Sequence, residues 1–281
     1  MQHYALDLPR FIIRYFFELS WKDKLGGLKT IIEGLKNIHQ EDIIHRDYHS
    51  GNIMISRFMG PTGFITGFKC SLSDIGISKS SISNDDHEIY GIIPYIAPEI
   101  FQGQQYTKAS DVYGFGMIMW ELLTGRRPFW NRNHDTYLII EICDGLRPPI
   151  VTNAPEGYNE LMQCCWNSDP FKRPTAANIL SIIIRILNSE LHRYPTISRN
   201  SPEIGPIATN NPNAIYKSRP LSAMIRSIES TKILIKQRIA LELDKRKFDA
   251  NPIDDDQDTK KVKSYVFVNN FFDGFSHFSY N

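Results

Sequence analysis

The octapeptide His45-Arg46-Asp47-Tyr48-His49-Ser50-Gly51-Asn52 constrains this chain more than any other segment. It is a polar run set between two stretches of different periodicity. Ahead of it, Trp21, Leu25, Leu28, Ile32, Leu35 and Ile38 recur at spacings of three and four. That spacing is one apolar stripe of a helix over residues 20–40. Ser20 followed by Asp23 resembles a capping box with Asp in place of Glu, which sets the start of that helix. A shorter helix is expected over Leu8 to Leu19, with Pro9 in its first turn. Behind the octapeptide, Gly51 to Ile55 and Phe68 to Ser73 read as short β pieces, joined through a Gly/Pro-containing loop from Phe58 to Gly67. The octapeptide is therefore a loop between a long helix and a hairpin, and 44 residues precede it.

From Ser110 onward the pattern is helical, over Val112 to Leu123, Asp135 to Asp144, Gly157 to Trp166 and Pro174 to Leu191. Residues 195–220 are rich in Ser, Asn and Pro and read as a linker. Residues 221–248 look helical again, with Ile225, Ile228, Ile235, Ile239 and Leu243 on one face and lysines and arginines on the other. The tail 221–281 ends in an acidic patch at Asp254-Asp255-Asp256 and an aromatic run from Tyr265 to Tyr280.

With 32 basic and 31 acidic residues, whole-chain charge gives no attraction to nucleic acid or membrane. The longest apolar stretch, Ile179 to Leu187, is too short to span a bilayer and contains Arg185, so no transmembrane segment is expected. Cys70, Cys143, Cys164 and Cys165 make no CxxC pair. They read as reduced thiols packed in a core, which suits a cytosolic or nuclear protein, and a cytoplasmic location is expected.

The octapeptide resembles the catalytic loop of protein kinases, H-R-D-x-x-x-x-N. Asp74-Ile75-Gly76 then matches the D-F-G position, with Ile75 in place of Phe, and Ala97-Pro98-Glu99 matches A-P-E, in the family's order. Further on, Ser110 to Gly116 and Asp169-Pro170-Phe171-Lys172-Arg173-Pro174 resemble two more of its segments. Leu161-Met162 and Cys165-Trp166 point to the tyrosine-kinase-like Ser/Thr group and to the tyrosine kinases. The resemblance covers residues 1–190. It implies a protein kinase-like fold, a mainly α-helical C-terminal lobe with short β-hairpins around the catalytic loop. No Gly-rich loop and no V-A-I-K strand precede His45, so the N-terminal lobe with its ATP-binding Lys is expected to be missing and this chain alone is expected to be weak or inactive as an enzyme.

The resemblance also implies roles. Asp47 is the base that orients an acceptor hydroxyl, and Asn52 and Asp74 are magnesium ligands beside ATP. His3, Tyr4 and Ala5 resemble the hinge where adenine docks. His49 stands where Ser/Thr kinases usually carry a phosphate-steadying Lys. His45 and Gly76 belong to the matched loops, Asp111 is the buried Asp that holds the catalytic loop, and Glu99 pairs with Arg173. Ser78, Ser80 and Ser81 offer phosphorylation sites that Arg46 is placed to bind. Transfer of the ATP γ-phosphoryl group to protein Ser or Thr follows, with Tyr left open. The alternative is a truncated kinase or pseudokinase acting as a non-catalytic binding module. A protein substrate is the implied partner, and the basic tail helix suggests a regulatory one.

Overall fold

Local signals in the chain decide where its helices begin. The computed structural model describes residues 6–59, 65–73, 79–80, 88–191, 202–207, 209–228 and 230. Strand β1 (Leu6–Asp7) leads into α1 (Leu8–Tyr15), whose first turn is capped by the Asp7 carboxylate on the Arg10 N–H, with Pro9 inside it. Helix α2 (Trp21–Gln40) opens with a full capping box. The Ser20 hydroxyl takes the Asp23 N–H, and the Asp23 carboxylate takes the Ser20 N–H. Two orphan donors are thereby satisfied, the condition for starting a helix cleanly.

After β2 (Ile43–Ile44), the chain runs through the octapeptide into a hairpin of β3 (Ile53–Met59) and β4 (Ile65–Leu72). Both strands reach further than the β pieces expected from sequence. Pairing carries them into the stretch read as loop, with a register shift at Phe58/Met59. β1 adds antiparallel on the outer edge of β3, Leu6 opposite Ile55. β5 (Lys79–Ser80) pairs with β2, and β6 (Tyr90–Gly91) pairs with β7 (Arg219–Pro220).

The remaining helices are α3 (Pro98–Phe101), α4 (Lys108–Thr124), α5 (Thr136–Cys143), α6 (Tyr158–Cys165) and α7 (Ala176–Leu191). Every residue of α4 from Ser110 to Thr124 is buried. A helix apolar on all sides has to sit at the centre of a domain, and α2, α6 and the loop elements pack around α4. It ends on Gly125 at φ 76°, whose N–H bonds the Glu121 carbonyl at 2.8 Å. Only a residue without Cβ takes that left-handed turn at little cost.

Two compact units emerge, Met1–Ser222 and Ala223–Asn281. The segment read as a linker from composition is bonded along the first unit over its described part. Gly205 N–H reaches the Thr124 carbonyl at 2.7 Å, and Asn211 N–H the Trp130 carbonyl at 2.9 Å. Polar, Pro-rich sequence leaves backbone groups free, and here lobe carbonyls take them up. In the second unit residues 223–228 are helical, with Ile225 and Ile228 buried. Ile235, Ile239, Leu243 and the rest of the tail lie outside the described residues.

All four cysteines are free. Cys70 and Cys165 are buried, and burial pushes the Cys70 thiol up to about 12. Cys164, read from sequence as a core thiol, is instead exposed, because adjacent helical positions face different directions.

Candidate active site

Asp111 fixes the loop 45–52 from below. In the first turn of α4, its Oδ2 accepts the His45 N–H at 2.9 Å and its Oδ1 the Arg46 N–H at 3.0 Å. His39 Nε2 stands 2.9 Å from the same Oδ2. These bonds hold Arg46 at φ 70°, a left-handed conformation uncommon for a residue with a Cβ. The His45 ring is buried against the Ser73 backbone, and that burial lowers its pKa. Gly114 allows the close approach of α4, since a Cβ there would sit 2.2 Å from the Tyr48 carbonyl oxygen.

The held loop presents Asp47, 8% exposed. Asn52 Nδ2 donates to the Asp47 carbonyl at 2.9 Å, tying the two ends of the loop together. His49 Nδ1 accepts the Gly51 N–H at 3.0 Å, so the ring proton belongs on Nε2. That Nε2 lies 3.3 Å from Asp47 Oδ2. Burial alone would push the Asp47 carboxyl up. The His49 hydrogen bond, helped by the Ser218 hydroxyl, outweighs it and holds the group below the ordinary carboxylate value. Asp47 is therefore a carboxylate, free to accept a proton.

Beneath it runs a network that sequence reasoning missed. Ser50 Oγ is 3.2 Å from the Tyr95 hydroxyl, which donates to Glu121 on α4. Burial pushes the Glu121 carboxyl up, against Arg127 and these hydroxyls. Tyr95 and Glu121 carry no signal in sequence beyond their residue type. Only the packing of α4 under the loop brings them to Ser50.

Glu99 and Arg173, 74 positions apart, form a buried bidentate pair at 2.6 and 2.7 Å. Arg173 also donates to the Ala109 and Asn167 carbonyls, so its fork is filled. Arg46 points its guanidinium toward the Tyr106 ring, 5.9 Å to the centroid. Ser80 lies in β5 opposite Ile43. Asp74, Gly76, Ser78 and Ser81 lie outside the described residues, as do His3, Tyr4 and Ala5 of the expected adenine site.

Magnesium and ATP are what the resemblance implies. With its amide nitrogen committed to Asp47, Asn52 keeps one free type of donor atom, the carbonyl Oδ1. A hard divalent cation takes that kind of oxygen. Among the described residues no group of three His, Cys, Asp or Glu is placed to hold a metal.

The family model for protein tyrosine and serine/threonine kinases matches residues 4–183. The chain belongs to the protein kinase family. A probable serine/threonine-protein kinase of Dictyostelium discoideum is 33% identical over 157 residues, 56% of this chain and 16% of its own length. The ephrin type-A receptor 7 of Gallus gallus is 29% identical over 219 residues, 75% of this chain and 21% of its own length. The dual specificity protein kinase splA of Dictyostelium discoideum is 32% identical over 158 residues, 53% of this chain and 7% of its own length. This kinase chain thus spans about a fifth or less of these curated relatives. Its described residues include no helix long and apolar enough to cross a membrane.

Proposed function

We propose that this chain carries the phosphoryl-transfer lobe of a protein kinase, acting in the cytosol on Ser or Thr hydroxyls of protein substrates with ATP and magnesium. The observation that carries the reading is the ionised, buried Asp47 carboxylate at the tip of a loop held by Asp111, Asn52 and His49. A base for an acceptor hydroxyl has to be fixed in place and unprotonated at working pH. Asp47 has both properties.

Each residue contributes separately. Asp47 orients the acceptor hydroxyl and takes its proton. His49 donates through Nε2 and fixes the rotation of the carboxylate. Asn52 and Asp74 would hold magnesium, which when bound neutralises charge on the phosphates. His3, Tyr4 and Ala5 would border the adenine. Ser78, Ser80 and Ser81 are proposed phosphorylation sites, with Arg46 as the cation that answers them. The tail helix is proposed to take a regulatory protein partner.

The test is transfer of labelled phosphate from magnesium–ATP to a generic acceptor protein by the purified chain, beside Asp47→Asn. The expected outcome is weak transfer by the native chain, which lacks a Gly-rich loop ahead of His45, and a loss of roughly 100-fold or more in the variant. Equal signal from both, or none from either, sinks the transferase reading. In that case the non-catalytic binding module is the better account.

A further inference from the structure

The described part of the Ser/Asn/Pro-rich segment returns across the face of the first unit and ends at Asp47. It is anchored on the way. His134 N–H donates to the Asn213 carbonyl at 3.0 Å, and the Tyr216 hydroxyl donates to the Pro128 carbonyl at 2.9 Å. The Arg127 guanidinium lies 4.5 Å from the centre of the Tyr216 ring. Arg219 Nη2 then donates to the His134 carbonyl at 2.6 Å.

At the site the segment becomes a strand. Arg219 pairs with Gly91 and Pro220 with Tyr90, antiparallel. Leu221 N–H donates to the Ile89 carbonyl at 2.8 Å, and Ile89 N–H returns a bond to Ser222 Oγ at 3.0 Å. Leu221 itself is 0% exposed, so an apolar side chain locks the end of the strand. β6 runs close beside the base, because a Cβ on Gly91 would stand 3.4 Å from Asp47 Oδ1. Ser218 stands one residue before the paired strand, beside the base, where its hydroxyl helps hold the Asp47 carboxyl low.

An extended peptide added to a strand that runs along the base, with a hydroxyl residue next to the pairing, is the placement a phosphoryl acceptor must adopt. We propose that residues 216–222 are a substrate-like strap and that Ser218 is the phosphoryl acceptor, presented in cis. The proposal rests on the transferase reading above and names the acceptor at that same site. In the step, Ser218 Oγ bonds the γ-phosphorus of a magnesium-bound nucleoside triphosphate while its proton passes to an Asp47 carboxylate oxygen. The bond from the γ-phosphorus to the β–γ bridging oxygen breaks, and nucleoside diphosphate leaves. The product places a phosphate dianion against the Asp47 site, and like-charge repulsion drives the strap out. Until that transfer the strap excludes other acceptors from the base.

The experiment incubates the full chain with magnesium–ATP and casein and maps phosphate on both by peptide mass spectrometry. The expected result is phosphate on Ser218, at a fractional rate unchanged over an about ten-fold range of chain concentration, as an intramolecular step requires. Ser218→Ala removes that phosphate. Phosphate on casein with none on Ser218 overturns the inference and leaves the transferase reading standing. A fractional rate that rises with chain concentration overturns the presentation in cis. With neither acceptor phosphorylated the transferase reading falls and Ser218 is no acceptor. Hydrogen exchange at the Leu221 amide then decides whether the strap stays paired with β6. Slow exchange in the native chain, made about ten-fold faster by Ser218→Glu, supports occupancy, and fast exchange in the native chain overturns it.

Discussion

His49 controls Asp47 through one hydrogen bond, and a titration can isolate it. The native carboxyl is held low, so its contribution to stability is complete above the unfolded value of about 3.9. It is lost as pH falls through the lower folded value. His49→Ala removes the donor while leaving the site closed, so burial takes over and the Asp47 carboxyl titrates above its ordinary value. The carboxyl carbon shift of Asp47 across pH reads this directly. An unchanged midpoint would mean that Ser218 and the loop backbone do the holding instead. The acid limb of any transferase activity moves to higher pH with the variant. In sequence, His49 looks like a stand-in for a phosphate-binding Lys. Its bond from Gly51 shows which nitrogen carries the proton, and turns it toward the base.

At the level of elements, α4 and α2 carry the functional loop from beneath. Gly114 is where α4 touches the Tyr48 backbone, with no room for a methyl group. Gly114→Ala is expected to destabilise by about 1–3 kcal/mol, an overpacking cost, despite the higher helix propensity of Ala. Chemical denaturation measures it, and a gain in stability would contradict the contact. Lys24 is the odd member of α2. It is 0% exposed, its ammonium lies 3.8 Å from the centre of the Phe16 ring, and burial lowers its pKa to about 7. Between that value and about 10.4 the unfolded chain binds more protons at this site than the folded one. Native stability at Lys24 therefore rises with pH across that window. Lys24→Met is expected to flatten the slope, read as denaturation midpoints at pH 7 and 10. The α2 boundaries were legible because capping and periodicity are local. The length of the β3–β4 hairpin was not, because strand pairing extends by contact between distant residues.

Across the whole molecule, the Glu99–Arg173 pair ties the start of α3 to the turn before α7. Arg173→Met leaves a buried carboxylate unpaired and is expected to cost about 3–5 kcal/mol. The double replacement with Glu99→Leu should recover much of that loss, which a double-mutant cycle reads as coupling. Additive single effects would show that the pair is not coupled. Both residues were visible in sequence only through family resemblance, since no local rule joins positions 74 apart. The same limit hid the Ser50–Tyr95–Glu121 network and the return of residues 209–222 to the base. Composition made that segment a linker up to Pro220, whereas Leu221, just after it, is buried. By itself the sequence determined the longer helices, the loop 45–52 and the family, because caps, periodicity and short motifs are written in adjacent residues; the end of α1 at Tyr15 rather than Leu19 and the four-residue α3 had no such signal. Tertiary structure alone decided the direction of the His49 ring, the burial of Lys24 and which hydroxyl reaches Asp47. Those depend on distances between elements far apart in the chain, which packing fixes and no local spacing records.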